Sequence, residues 1–199
     1  TMSTSNIDNE IAAWQKAPFD AQTQREVAQL ATENPLELED AFYKNLAFGT
    51  GGMRGLMGVG PNRINAYTLG RNTQGISNYL KTQYPNEPLS VAIAYDCRHQ
   101  SDRLAQIVAN VFSANNINAH LFPELRTTPA LSFTLKHLKC QAGIVLTASH
   151  NPPEYNGYKV YWTDGGQIVP PEDQEIIKAI ESLSFEAINF TPNKALIKT

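Results

Sequence analysis

The sequence predicts an α/β fold: a three-layer α/β/α domain with a mixed, mainly parallel sheet of about four strands, preceded by a helical extension. Three observations carry this reading. From Leu89 to Thr147, apolar runs of strand length alternate with amphipathic stretches of helical period. Strand, helix, strand, helix, strand implies parallel pairing through right-handed crossovers. The residues before Phe48 read as helix instead, and 42% hydrophobic residues over 199 positions supply one good-sized core rather than a disordered chain.

The elements follow in order. Ile7, Ile11 and Trp14 recur at helical spacing, with Ser5 and Asp8 placed like a capping box. Asp20 caps a second helix presenting Val27 and Leu30. In Asn34-Pro35-Leu36-Glu37, Asn is the N-cap and Pro the first helical residue of a third helix, which buries Leu38 and Phe42. Phe48 to Gly55 reads as a glycine-dense loop. Asn65 caps a long helix with Leu69, Thr73, Ile76 and Leu80 on one face, and Gly75 beside that face signals close packing. Leu89–Tyr95, Ile117–Phe122 and Ala142–Thr147 are the parallel strands. Between them run helices capped at Ser101 and opened by Thr128-Pro129, the second carrying Leu131, Leu135 and Leu138. Tyr158–Trp162 alternates as a strand, and Thr163-Asp164-Gly165-Gly166 turns it into Gln167–Val169. Pro170-Pro171 starts a last helix with Ile176, Ile177, Ile180 and Leu183. The expected organisation is a helical extension over 1–46, the α/β domain over 47–184, and a linker or final strand over 185–199.

Composition narrows the function. A net charge of −3 leaves no basic footprint for nucleic acid. No apolar run approaches the roughly 18 residues that span a bilayer, and the first thirty residues carry no secretory pattern. Cys97 and Cys140 show no CxxC spacing, so they read as reduced thiols of a cytoplasmic protein rather than zinc ligands.

Parallel strands bring their carboxyl ends to one sheet edge, where α/β folds place ligands. Three loops converge there: Asp96 to His99, Glu124 to Thr128, and Thr147 to Pro152. The helices starting at Ser101 and Thr128 aim their N-termini at the same edge, which favours anions. Ser149 is the candidate nucleophile; an ordinary turn serine is an equal reading on local pattern alone. No G-x-S-x-G elbow surrounds it, and adjacent side chains seldom meet in an extended segment, so a Ser149–His150 hydrolase pair is disfavoured. His150 then orients or contacts phosphate, and Asn151-Pro152 is chiefly a turn device. The loop from Gly49 to Gly55, including Thr50, Gly51 and Gly52, admits positive φ and offers an anion-binding nest; a surface hairpin is the plainer alternative. Arg54 adds a bidentate phosphate donor. If Tyr158–Trp162 runs antiparallel to the strand before it, Lys159 stands beside Ser149, able to hold a phosphate or shuttle a proton. Arg98 is either a phosphate contact or the partner of Asp96 in a salt bridge.

These residues carry a resemblance. Thr147-Ala148-Ser149-His150-Asn151-Pro152, then Asn156-Gly157-Tyr158-Lys159, with Gly49-Thr50-Gly51-Gly52-Met53-Arg54-Gly55 upstream, resembles the α-D-phosphohexomutases, the phosphoglucomutase/phosphomannomutase family. The Tyr-Lys-Val-Tyr-Trp run, the later Asp-Gly-Gly-Gln-Ile and the helical extension are most similar to the branch containing phosphoglucomutase 2 and phosphopentomutase. The resemblance implies that Ser149 carries a phosphoryl group, passes it to a sugar phosphate, and recovers it from a bisphosphorylated intermediate. The net change moves phosphate between the 1- and 6-positions of a hexose, glucose foremost. Magnesium would bind the Ser149 phosphoryl oxygen, and glucose 1,6-bisphosphate would serve as activating donor. Arg54 and Lys159 would assist proton transfer, with His150 among the catalytic group. Thr50, Gly51, Gly52, Arg98 and Asn151 would join them in holding phosphate. The chain has no Asp-x-Asp-x-Asp run for the other magnesium ligands, no Arg-Pro-Ser-Gly sequence and no sugar-reading Glu/Ser loop. It is therefore expected to be the first domain of a larger mutase, inactive alone, whose partners are the remaining domains and a sugar phosphate. A non-catalytic phosphosugar-binding module is the competing expectation.

Overall fold

A computed structural model describes residues 4–123 and 128–199. Its centre is a six-stranded sheet. The strands are β1 (Gly52–Leu56), β2 (Ser90–Tyr95), β3 (Asn118–Leu121), β4 (Ala142–Leu146), β5 (Tyr155–Tyr161) and β6 (Ile197–Lys198), in the spatial order β1-β5-β4-β2-β3-β6. β2 pairs in parallel with β3 and β4, and β3 with β6, whereas β5 runs antiparallel to both β4 and β1. The sheet is mixed and mainly parallel as expected, but two strands larger. One addition lies in the glycine segment taken for a loop; the other is the two-residue β6.

The strands are apolar on both faces, and the faces differ. Val91 and Ile93 of β2, Ile144 and Leu146 of β4, and Tyr158 and Val160 of β5 enter one cluster. Three helices cover that face: α4 (Ala66–Gln83), α5 (Ser101–Ala114) and α7 (Glu172–Glu181). Ala92, Ala94, Val145 and Tyr161 point the other way, against Leu131 and Leu135 of α6 (Thr128–His137). This period-two division is what a sheet buried between helix layers requires. α6 packs on β2 and β4 and meets β5 at Tyr161, so among the described residues its cover does not extend to β1 or to the Gly157–Lys159 part of β5.

The helical extension comprises α1 (Thr4–Ala13), α2 (Ala21–Glu33) and α3 (Pro35–Phe42). Asp20 and Asn34 cap α2 and α3, each accepting from the backbone N–H three residues on. Trp14 is the centre of a separate cluster. It stacks on Phe19 at 4.2 Å and meets Phe42, Tyr67 and Phe185 edge-on. The Tyr67 hydroxyl donates to Asp20 Oδ2 at 2.8 Å and accepts from the Asp20 N–H at 2.7 Å, tying the extension to the start of α4. Burial pushes the Tyr67 hydroxyl up to about 12, and the Asp20 hydrogen bond adds to the shift. Burial raises Asp20 as well, but hydrogen bonds from Thr23 and Tyr67 outweigh it and hold the carboxyl below its ordinary range.

Several boundaries differ from expectation. α1 already includes Thr4, so Ser5 lies inside the first turn rather than before it. Ser101 opens α5 from within: the N-cap is Gln100, in the left-handed region at φ 61, without a side-chain cap. Leu138 falls past the end of α6, exposed. Gln167–Val169 forms no strand, only a single bridge from Gln167 to Tyr161. The predicted loop Glu124 to Thr127 lies outside the described residues. No helix among the described residues is long and apolar enough to cross a membrane.

Candidate active site

The site is built on β4, β5 and β1. Register sets it. Val145 pairs with Lys159, Leu146 with Tyr158, and Thr147 N–H donates to Gly157 O at 3.1 Å. Val145 lies on the α6 face, so its partner Lys159 lies there too. Across the next pair, Arg54 is opposite Gly157 and Gly52 opposite Lys159. Arg54, Gly157, Lys159 and Gly52 thus share the face that α6 leaves uncovered. Gly157 must be bare: a Cβ there would run into Thr147 O and come within 3.0 Å of Met53 O. Two cations therefore flank a patch of backbone at the mouth of the Ser149 loop.

The loop turns back over them. Lys159 Nζ donates to Ser149 Oγ at 3.1 Å, and Arg54 Nη1 donates to Asn151 Oδ1 at 3.0 Å. Ser149 is exposed and adopts φ 54, a conformation unusual for any residue with a side chain. His150 is exposed next to it. The pairing of Ser149 with Lys159 follows from the antiparallel direction of β5.

Arg98 is also at the loop, in a different capacity. Its side chain is 11% exposed. Nη1 donates to Pro152 O and Tyr155 O, and Nη2 to Ser149 O and Asn151 O. All four terminal N–H groups are thereby engaged by loop carbonyls, leaving none for a phosphate. The alternative Asp96 pairing is present, with Nε 3.5 Å from Oδ2.

The glycine segment does not form an open nest. Gly49 and Gly52 exchange N–H···O bonds of 2.8 and 3.0 Å, which removes both amides from anion binding. Thr50 Oγ1 donates to Asp173 Oδ2 of α7 at 3.0 Å, and Gly51 O accepts from Val160 N–H at 2.8 Å. The Thr50 hydroxyl, expected to contact phosphate, is thus tied to α7, and the Gly51 carbonyl to β5. Gly52 is required because a Cβ would strike Tyr158 O. The segment's contribution to the site is Arg54.

Sequence reasoning passed over Asp96 and Thr147 as site residues. Thr147 Oγ1 donates to Asp96 Oδ2 at 2.5 Å and accepts from Ser149 N–H at 3.0 Å. The available signal was an acidic residue at the end of β2, two positions before an arginine. Tyr158, between Gly157 and Lys159, is fully buried on the α4 face with its hydroxyl 3.0 Å from Thr73 Oγ1. Burial pushes that hydroxyl well above its ordinary range, with Thr73 opposing.

Magnesium prefers several oxygen ligands, carboxylates among them. Among the described residues no three His, Cys, Asp or Glu side chains converge to hold a metal ion, and both oxygens of Asp96 are engaged by Thr147, Ser101 and the Arg98 N–H. The described residues do not by themselves form a magnesium site; Ser149 offers one oxygen.

Residues 45–187 match the family model described as phosphoglucomutase/phosphomannomutase, alpha/beta/alpha domain I. The chain is 42% identical over 161 residues to a phosphoglucomutase of Staphylococcus haemolyticus, covering 80% of this chain and 29% of that protein. It is 40% identical over 185 residues to a phosphopentomutase of Homo sapiens, covering 89% and 30%. Among solved structures, a putative phosphomannomutase from Thermus thermophilus matches with a TM-score of 0.64 at 32% identity, over 75% of this chain and 32% of that one. The chain spans about 30% of the length of these curated relatives.

Proposed function

The chain belongs to the phosphoglucomutase/phosphomannomutase family, as its alpha/beta/alpha domain I, and from that premise we propose that Ser149 carries the phosphoryl group of a sugar-phosphate mutase. The observation that carries the reading is the 3.1 Å hydrogen bond from Lys159 Nζ to Ser149 Oγ, with Arg54 on the same sheet face. Phosphoryl transfer needs positioning and positive charge more than a strong nucleophile. In the forward step the Ser149 Oγ–P bond breaks and a sugar O–P bond forms. Lys159 supplies a proton to the departing Ser149 oxygen and the attacking sugar hydroxyl gives up its own as its O–P bond forms, which restores the proton count; in the second transfer Lys159 takes the Ser149 proton as phosphate returns and the departing sugar oxygen is protonated. Arg54 stabilises the phosphate oxygens, and His150 and Asn151 border them.

The net reaction we assign is the interconversion of hexose 1-phosphate and 6-phosphate, with glucose as the hexose, through a bisphosphorylated sugar. The catalytic unit would include further domains beyond a helical extension (1–46), this α/β domain (47–184) and its tail (185–199), and would work in the cytoplasm. Magnesium, when bound, supplies charge neutralisation at the phosphoryl group; from this chain it would take the Ser149 phosphoryl oxygen, its other ligands coming from elsewhere. A pentose phosphate is the second reading. It is favoured by the longer reach of the phosphopentomutase similarity, 89% of the chain against 80%.

The test is phosphopeptide mapping of the full-length protein after incubation with glucose 1,6-bisphosphate. Phosphate on the Ser149 peptide is expected. An unmodified Ser149 peptide under turnover conditions sinks the reading in favour of a non-catalytic phosphosugar-binding module. Comparing kcat/KM for glucose, mannose and ribose phosphates then separates the substrates.

A further inference from the structure

Both main-chain polar groups of Ser149 belong to one hydrogen-bonded circuit. The N–H donates to Thr147 Oγ1, and the carbonyl accepts from Arg98 Nη2. Thr147 Oγ1 donates to Asp96 Oδ2, Asp96 Oδ1 accepts from the Arg98 N–H at 3.0 Å, and the Arg98 side chain returns to Ser149. The circuit is anchored to the domain through Ser101, whose hydroxyl donates to Asp96 Oδ1 at 3.2 Å and accepts from the fully buried Asn156 Nδ2 at 2.9 Å. Arg98 extends its hold to Asn151, Pro152 and Tyr155, so one guanidinium spans the loop from the nucleophile to the start of β5.

This circuit answers the conformational problem at Ser149. A side-chain-bearing residue at φ 54 is disfavoured; within the segment it is held by the turn that Asn151 N–H closes on Ala148 O at 3.1 Å and by the Ser149 N–H on Thr147 Oγ1, and the rest of the hold comes from Asp96 and Arg98. The geometry points to Arg98 and Asp96 as positioning residues: they hold Ser149 in the left-handed conformation in which its Oγ meets Lys159, and Arg98 is not a phosphate ligand. The inference rests on reading Ser149 as the phosphoryl carrier. Arg98 acts through its fork. Four N–H donors at fixed angles reach four carbonyls, and a lysine ammonium keeps the charge but not that span.

The fork and the charge separate experimentally. In the full-length protein, Arg98→Lys and Arg98→Gln are compared for kcat and KM with glucose 1-phosphate, and for amide hydrogen exchange over 148–151. Both variants are expected to lose about 100-fold in kcat, the scale of a small misplacement of reacting atoms. KM should change little, and exchange of the Ser149 amide should accelerate. If Arg98→Lys keeps wild-type kcat and exchange, charge suffices and the inference falls. If the loss is in KM with kcat retained, Arg98 is a substrate ligand and the inference falls equally. Should the Arg98 variants fail to fold, Thr147→Val removes only the acceptor of the Ser149 amide and the donor to Asp96. The same kcat loss at unchanged KM upholds the circuit, and retained kcat overturns it. If the wild-type protein acquires no phosphate on Ser149, it is the carrier reading that fails. Exchange alone then decides: faster exchange in Arg98→Lys upholds the clamp, and unchanged exchange refutes it.

Discussion

Replacing Thr73 by Val should cost more than removing the hydroxyl of its partner Tyr158. Thr73 Oγ1 donates its one proton to Leu69 O at 2.8 Å, so in the 3.0 Å contact with Tyr158 the tyrosine is the donor. Both residues are fully buried. Tyr158→Phe deletes one hydrogen bond and leaves no stranded donor, because Thr73 keeps Leu69; about 0.5–1.5 kcal/mol is expected. Thr73→Val keeps the shape but strands the Tyr158 O–H in an apolar core, at about 1–3 kcal/mol. The double variant, with both hydroxyls gone, should be more stable than Thr73→Val alone, since no donor is then unsatisfied. Urea unfolding followed by the fluorescence of Trp14 and Trp162 measures all three. The burial-raised hydroxyl keeps Tyr158 protonated throughout any neutral buffer. If Tyr158→Phe costs as much as Thr73→Val, or if the two losses add in the double variant, the assignment of donor and acceptor is wrong.

Three further outcomes follow from the packing and the charges. Gly75→Ala places a Cβ 2.6 Å from Ile180 Cγ1 and 2.9 Å from its Cα, so α7 must retreat; overpacking should outweigh the roughly 1 kcal/mol gained in helix propensity and lower the thermal midpoint, and a raised midpoint would contradict the α4–α7 contact. Tyr67 titrates near 12 in the folded chain against about 10 when unfolded. The stability carried by its neutral hydroxyl is whole below pH 10 and lost as pH rises to 12, on the order of 2 kcal/mol. Melting curves of wild type and Tyr67→Phe should diverge in slope over that window, and parallel curves would count against the Asp20–Tyr67 tie. Lys159→Met should reduce phosphoryl transfer at Ser149 by about 100-fold or more while moving stability by no more than about 0.5 kcal/mol, as expected for a surface side chain; a large loss of stability would make Lys159 structural.

Local chemistry made most of the fold legible. Asp20, Asn34 and Asn65 announced three helices because an N-cap needs a short polar side chain, and each accepts from the first turn as expected. The strands β2 and β4 were readable as apolar runs because both their faces are covered. β1 was not, since Gly52-Met53-Arg54-Gly55-Leu56 has the composition of a loop. Its glycines serve close approaches outside the strand itself, Gly52 against the distant Tyr158 O and Gly55 against Leu46. Strand propensity fails where backbone proximity decides.

The candidate site divides along the same line. Ser149 and Lys159 were found together because a strand end and an antiparallel return are properties of neighbouring sequence. The conformation of Ser149 was not, because part of what holds it comes from the end of β2. Asp96 and Arg98 lie about fifty residues upstream, and their partners are mostly backbone atoms, which leave no mark on residue identity. The serine segment alone therefore encodes only part of the geometry of Ser149: its own turn and the Thr147 hydroxyl. Moved onto another strand end without the Asp96–Arg98 loop, it would relax toward negative φ and carry its hydroxyl away from the lysine. The unit that specifies this site is the pair of adjacent strand ends, β2 and β4, which explains why the parallel pairing of those two strands lies beneath it.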